Sequence, residues 1–179
     1  PTKSLEKLSS KNQLPKKDSE IRNFVSALVK SNPGTARRPA LFIDISELVQ
    51  RDVRTGIQRV VRNVLRSFLQ KELQDSFYRV EPVYTESNLS SYFVAGGFIS
   101  RFLGLPSILK DHPIEPRKGD VFLGLDLQPF LIPKKKELLD EMFMQGVSIQ
   151  FVVYDLLPLS NENFFSQGAS KQFKLWFDV

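Results

Sequence analysis

The chain of 179 residues contains no cysteine. That absence excludes disulfides, thiol nucleophiles and zinc ribbons together, and it fits a reducing cytoplasm. Histidine is almost as scarce. The single copy, His112, lies in a proline-rich polar loop and reads as an exposed side chain rather than a catalytic one. A metal site built from His and Cys is excluded by count. No run approaches the roughly 18–20 apolar residues needed to cross a bilayer, and no signal peptide leads the chain. Three motifs of nucleotide and acyl chemistry are also missing: the phosphate loop Gly-x-x-x-x-Gly-Lys-Ser/Thr, Gly-x-Gly-x-x-Gly after the first strand, and the Gly-x-Ser-x-Gly elbow.

What is present suits one soluble domain with a hydrophobic core of its own. The formal charge of +5 is unevenly spread. Residues 1–38 hold nine Lys/Arg against three Asp/Glu, and the remaining 141 hold sixteen against seventeen. The basic character belongs to the leader, which reads as a solvated linker, with anionic membrane contact as the alternative. Nucleic-acid binding would need basic residues clustered in the folded part, and the tally argues against it. The chain starts at a proline and stops at Trp176-Phe-Asp-Val179 inside an apparent helix, so a piece of a longer polypeptide is expected.

The expected organisation is a flexible basic leader over 1–17, an amphipathic helix and connector over 18–38, and a domain over 39–179. Ile21, Phe24, Val25, Leu28 and Val29 carry helical spacing, with Asp18 or Ser19 as cap and Asn32-Pro33-Gly34 as stop. Strands are predicted at 41–45, 77–84, 121–125 and 147–154. A helix follows Thr55, with Ile57, Val60, Val61, Val64, Leu65, Phe68 and Leu69 as its apolar stripe, and another covers 134–145. Strands alternating with helices, in near-continuous apolar runs, predict an α/β Rossmann-like parallel sheet covered on both faces. Residues 86–117 resist assignment.

In such sheets ligands bind beyond the carboxyl ends of the strands, so polar residues there are the candidates. Thr55-Gly56-Ile57 opens a helix whose free N–H groups and dipole suit a phosphate, and Arg59 could add a bidentate donor. The competing reading is an ordinary capped helix with a solvated arginine. Asp44 and Asp126 end two strands, and Tyr154-Asp155 end a third. Each could serve chemistry or simply hold a turn. Phe98 and Phe102 read as core, or else as a docking surface.

Phe42-Ile-Asp-Ile-Ser46, Thr55-Gly-Ile-Gln-Arg-Val-Val-Arg-Asn63, Gly119-Asp-Val-Phe-Leu-Gly-Leu-Asp126, Val152-Val-Tyr-Asp-Leu-Leu-Pro158 and Phe164-Phe165 occur in order. Together they resemble the amino-terminal half of retaining GT-B glycosyltransferases of family 4, in the O-antigen mannosyltransferase branch. The resemblance spans roughly residues 40–179. It implies an acceptor-side domain, truncated at its C-terminus, that faces a donor-side domain outside this chain. Thr55, Gly56, Ile57 and Arg59 match the loop that approaches the donor diphosphate. Asp44 and Asp126 fall on the acceptor side, and Asp155 with Tyr154 at the catalytic position, where many members carry His-Asp.

The implied reaction moves a hexose, mannose from GDP-mannose, to a glycan or lipid-linked glycan of a growing surface polysaccharide, with retention. It needs no metal and no cofactor beyond the nucleotide sugar, and no nucleic-acid partner. It would take place in the cytoplasm, at the inner face of the membrane if the leader makes peripheral contact there. The isolated piece is expected to be catalytically silent. The alternative is a non-catalytic interaction or carbohydrate-binding module.

Overall fold

The computed structural model describes residues 37–51, 53, 55–72, 77–106, 109–160 and 165–179. The chain divides into two compact units, Pro1–Arg37 and Arg38–Val179. The expected leader over 1–17 and the helix around Ile21–Val29 lie outside the described residues. The second unit holds the sheet and the candidate site.

Its elements are β1 (Ala40–Asp44), α1 (Ser46–Gln50), α2 (Gly56–Glu72), β2 (Arg79–Tyr84), β3 (Phe93–Val94), α3 (Gly96–Phe102), β4 (His112–Pro113), β5 (Val121–Gly124), α4 (Lys136–Met144), β6 (Ser148–Phe151), α5 (Leu157–Ser160) and α6 (Gln167–Phe177), with a 3-10 turn at Ile132–Lys135 before α4. The strands form one sheet in the order β4-β3-β2-β1-β5-β6. The four strands read from the sequence are the parallel ones: β1 pairs with β2 and β5, and β5 with β6. The unassigned stretch supplies β3, α3 and β4, and the two short strands pair antiparallel at the β2 edge. The sheet is therefore mixed rather than purely parallel.

Alternation along β1 explains the two layers, because successive side chains point to opposite faces. Leu41 and Ile43 join Leu48, Val61, Leu65 and Ile99 on the face covered by α1, α2 and α3. Ala40 and Phe42 join Phe122, Leu139, Met142, Phe173 and Trp176 under α4 and α6. Gly124 in β5 is required by packing. A Cβ there would lie 2.2 Å from the Phe151 ring, which itself sits among Phe122 and Trp176.

Predicted boundaries shift where hydrogen bonds run out. The last strand stops at Phe151 and not at Tyr154. Val152 N–H makes the final ladder bond to Gly124, where β5 ends and offers no further partner. Phe77 and Tyr78 precede β2 and stack edge-to-face on each other instead of pairing. The last helix runs to Phe177 and closes with Asp178 N–H on the Lys174 carbonyl.

Candidate functional site at the carboxyl ends of the strands

From β1 the chain crosses outward one way to β2, and from β5 the other way to β6. The reversal falls between β1 and β5, which is where a sheet of this kind leaves a crevice beyond its strand ends. Asp44 and Asp126 stand on either side of that point.

Asp44 is fully buried. Its Oδ1 accepts from Ser46 N–H (2.9 Å) and Ser46 Oγ–H (2.6 Å), and its Oδ2 accepts from the Tyr92 hydroxyl (3.3 Å). Ser46 Oγ in turn accepts from Thr85 N–H at 2.8 Å, so one serine ties the end of β1 to the end of β2. Asp126 accepts from Leu48 N–H at 2.7 Å, and its own N–H bonds the Asp44 carbonyl at 3.1 Å. The Gln128 amide fills the remaining side. Turned one way it donates to Asp44 at 3.3 Å; turned the other, its oxygen accepts from the Ser46 and Glu47 N–H groups at 3.2 Å each. The two aspartates thus hold the first turn of α1 against the sheet.

Burial dominates their protonation. Loss of water pushes Asp44 up to about 6, against the opposing pull of its Ser46, Tyr92 and Gln128 hydrogen bonds. The same desolvation, with the Asp44 and Glu47 charges nearby, pushes Asp126 up to about 7. Both carboxyls are closed to solvent.

Tyr154 does not present its hydroxyl outward. It donates to the Leu125 carbonyl at 2.7 Å, and desolvation raises its pKa to about 12. Asp155, next in sequence, is exposed at the same rim.

Helix α2 starts on this rim because it must run back antiparallel to β1 to reach β2. Thr55 Oγ accepts from Gln58 N–H at 3.3 Å, the geometry of an N-cap. Gly56 is exposed, and a Cβ added there would meet no protein atom within 4 Å. Ile57 packs against the core, and Arg59 is exposed. Gln58 beneath them is buried and donates to the Arg51 carbonyl, which ties the helix start to the end of α1. The Thr55–Gly56 turn is therefore an open helix N-terminus on a fixed base.

A cavity of about 340 Å³ opens beside α1, within the size range of small-molecule sites. Glu47, Gln50 and Arg51 line one wall, Ser87 another, and the loop Leu127–Leu131 with Lys134 the third. Phe130 is 65% exposed at its mouth. Glu47 and Arg51 pair at 3.5 Å, and Gln50 is fixed by a bond to the Thr85 carbonyl at 2.9 Å. None of these side chains was a sequence candidate. Their shared signal is position just after β1, β2 and β5, and the rule that singled out Asp44 and Asp126 could have reached them. Among the described residues, no cluster of His, Asp and Glu has metal-binding geometry, and no helix is long and apolar enough to cross a membrane.

Sheet order and the mostly parallel strands define an incomplete Rossmann-like α/β domain, with its crevice and cavity at the strand carboxyl ends. Over 136 residues the chain is 33% identical to a serotype-specific mannosyltransferase WbdA of Escherichia coli, and 32% identical to two further WbdA sequences from that organism. The aligned part covers 76% of this chain but only 16% of each relative. The chain is thus homologous to one segment of these mannosyltransferases. No family model and no solved structure matches.

Proposed function

We propose that this domain is the acceptor-side half of a retaining glycosyltransferase that moves mannose from GDP-mannose to a growing surface polysaccharide. The observation that carries the reading is the 33% identity over 136 residues to a mannosyltransferase segment. The rim supplies parts that fit it. The open N-terminus of α2 at Thr55, Gly56 and Ile57 offers oriented N–H groups to a diphosphate, with Arg59 one turn further on. In a retaining transfer, stabilising the departing diphosphate is the main electrostatic task, and it requires no metal from this chain.

The cavity beside α1 is the acceptor subsite in this reading. Phe130 offers an apolar ring face to a sugar, while Glu47, Gln50, Arg51 and Lys134 offer donors and acceptors for its hydroxyls. Asp44 and Asp126 act through the α1 turn they hold, and Asp155 stands at the exposed edge toward the donor. A donor-side domain, contributed outside this chain, closes the cleft.

The test is a donor screen on the full-length parent protein, with released nucleotide and the anomeric configuration of the product as readouts. GDP release from GDP-mannose with an α-linked mannosyl product is expected. Absence of transfer from every nucleotide sugar, with glycan binding retained, would instead identify a carbohydrate-binding module.

A further inference from the structure

The walls of the cavity beside α1 are not held alike. The wall that carries Ser87 belongs to the loop between β2 and β3, and the base of that loop is firmly tied. Thr85 N–H donates to Ser46 Oγ at 2.8 Å, Gln50 donates to the Thr85 carbonyl at 2.9 Å, and Thr85 Oγ–H donates to the Ser91 carbonyl at 2.9 Å. Beyond the base, Glu86, Ser87, Asn88 and Ser90 are exposed, and Leu89 N–H turns back on the Glu86 carbonyl at 3.1 Å. Among the described residues, one hydrogen bond reaches this outer part from outside the loop. Lys135 Nζ donates to the Leu89 carbonyl at 2.5 Å, across 46 positions of sequence.

Lys135 is only 6% exposed, at the end of the 3-10 turn and next to Lys134. A lysine is almost never buried so far without a counter-ion, yet among the described residues no carboxylate pairs with this one. Desolvation lowers its pKa, and the Lys134 charge adds to the effect. Both are signs of a charge whose burial goes uncompensated. Such a cation is a poor support for the fold. A methionine would fill the same space without desolvating a charge, and the Leu89 carbonyl, on a half-buried residue, could turn to water. As a tether the arrangement is effective. A long flexible stem with donors at its tip runs from the turn that carries Lys134 to the loop that carries Ser87, and both of those side chains line the cavity.

We infer that Lys135 is a positioning residue for the acceptor: its ammonium holds the β2–β3 loop at Leu89 and so keeps Ser87 in the cavity wall, where the serine hydroxyl meets a sugar hydroxyl. The inference rests on the acceptor reading of this cavity. Lys135 does not line the cavity itself and acts through Ser87. A residue that merely supported the fold would, when lost, lower stability and acceptor affinity together. A tether with an uncompensated charge separates the two, because its removal frees the loop while relieving the buried cation.

The test is Lys135→Met in the full-length parent, with Lys135→Arg as the conservative partner that keeps a donor for Leu89. Lys135→Met should raise the acceptor KM by about tenfold, the scale of one lost hydrogen bond to a bound sugar. Its kcat and donor KM should stay unchanged, and its melting temperature should be equal or higher. Lys135→Arg should recover most of the acceptor affinity. An unchanged acceptor KM in Lys135→Met overturns the inference. So does a raised KM that comes with a lower melting temperature and is not rescued by arginine, since that pattern belongs to ordinary support of the fold. If the native parent transfers no sugar at all, the acceptor reading fails on its own, and hydrogen exchange across the β2–β3 loop decides the tether separately. Protection of Leu89 N–H that weakens about tenfold in Lys135→Met, on the same scale, upholds the tether, and unchanged protection overturns it.

Discussion

The Tyr92 hydroxyl donates to the Asp44 carboxylate at 3.3 Å, joining residues 48 apart in the sequence at a place closed to solvent. Each shapes the other's ionisation: the hydrogen bond opposes the rise in Asp44, while burial and the Asp44 charge drive the tyrosine well above its usual range. Tyr92→Phe keeps the ring packed edge-to-face on Phe122 and removes only the donor. A loss of about 1–3 kcal/mol is expected, the cost of leaving a buried acceptor unpaired. Chemical denaturation would measure it, and unchanged stability would mean that Asp44 Oδ2 finds another donor.

The buried aspartates also set a pH dependence. With pKa values raised from 3.8 to about 6 and about 7, the native state takes up protons before the unfolded chain does. The native state therefore holds more protons between about pH 4 and pH 7, and these two groups make stability fall as pH rises through that window and level off above it. Comparing unfolding free energy across the window for the native chain and Asp126→Asn isolates one of them. The variant should show the shallower decline; parallel curves would contradict the raised value.

Gly124→Ala should destabilise the domain by about 1–3 kcal/mol, as overpacking does. The new methyl group meets the Phe151 ring, which is hemmed in by Phe122 and Trp176. Thermal melting of the variant decides the matter, and a melt like that of the native chain would show that the ring can move aside.

At the rim, Gly56→Val in the full-length parent should lower kcat/KM for the nucleotide sugar by ~100-fold or more, the scale of losing one strong transition-state donor. No protein atom lies near the added Cβ, so the melting temperature should change little. Arg59→Ala should do less. Near-normal transfer by Gly56→Val would reduce Thr55–Gly56 to a helix cap.

Phe130→Ala should act on the other substrate. The ring is mostly exposed, so its loss should raise the acceptor KM by about tenfold, the worth of an aromatic contact of roughly 1.4 kcal/mol. The donor KM should stay unchanged. An effect confined to the donor would move the acceptor away from this cavity.

The parallel strands were legible because β1 and β5 are short apolar runs, β2 and β6 alternate apolar with polar residues, and a helical stripe or turn residues separate them. The stripe from Ile57 to Leu69 gave α2 directly. The stretch from 86 to 117 was not legible: β3 and β4 have two residues each, too few for any period to show, and they are held by the β2 edge rather than by local preference. Asp44 and Asp126 were found at the right strand ends, but their burial depends on Tyr92, Gln128 and Leu48, which come from distant parts of the chain. Sequence position could not show that both carboxylates are buried and accept hydrogen bonds from the first turn of α1. For the same reason Phe130 and Lys134 stayed invisible until the loops converged.

Helix α1 is only five residues long, too short to persist alone. It is fastened from outside: Leu48 to Asp126 beyond β5, Gln50 to Thr85 beyond β2, and Ser46 to Asp44 at the end of β1. The cavity wall therefore comes into existence only once three separate stretches of chain have met, so it belongs to the completed fold and to no smaller part of it. A molecule that settles there selects the finished domain over every partly formed one. Its affinity will be readable as added resistance to unfolding, growing with ligand concentration, before any chemistry is assayed.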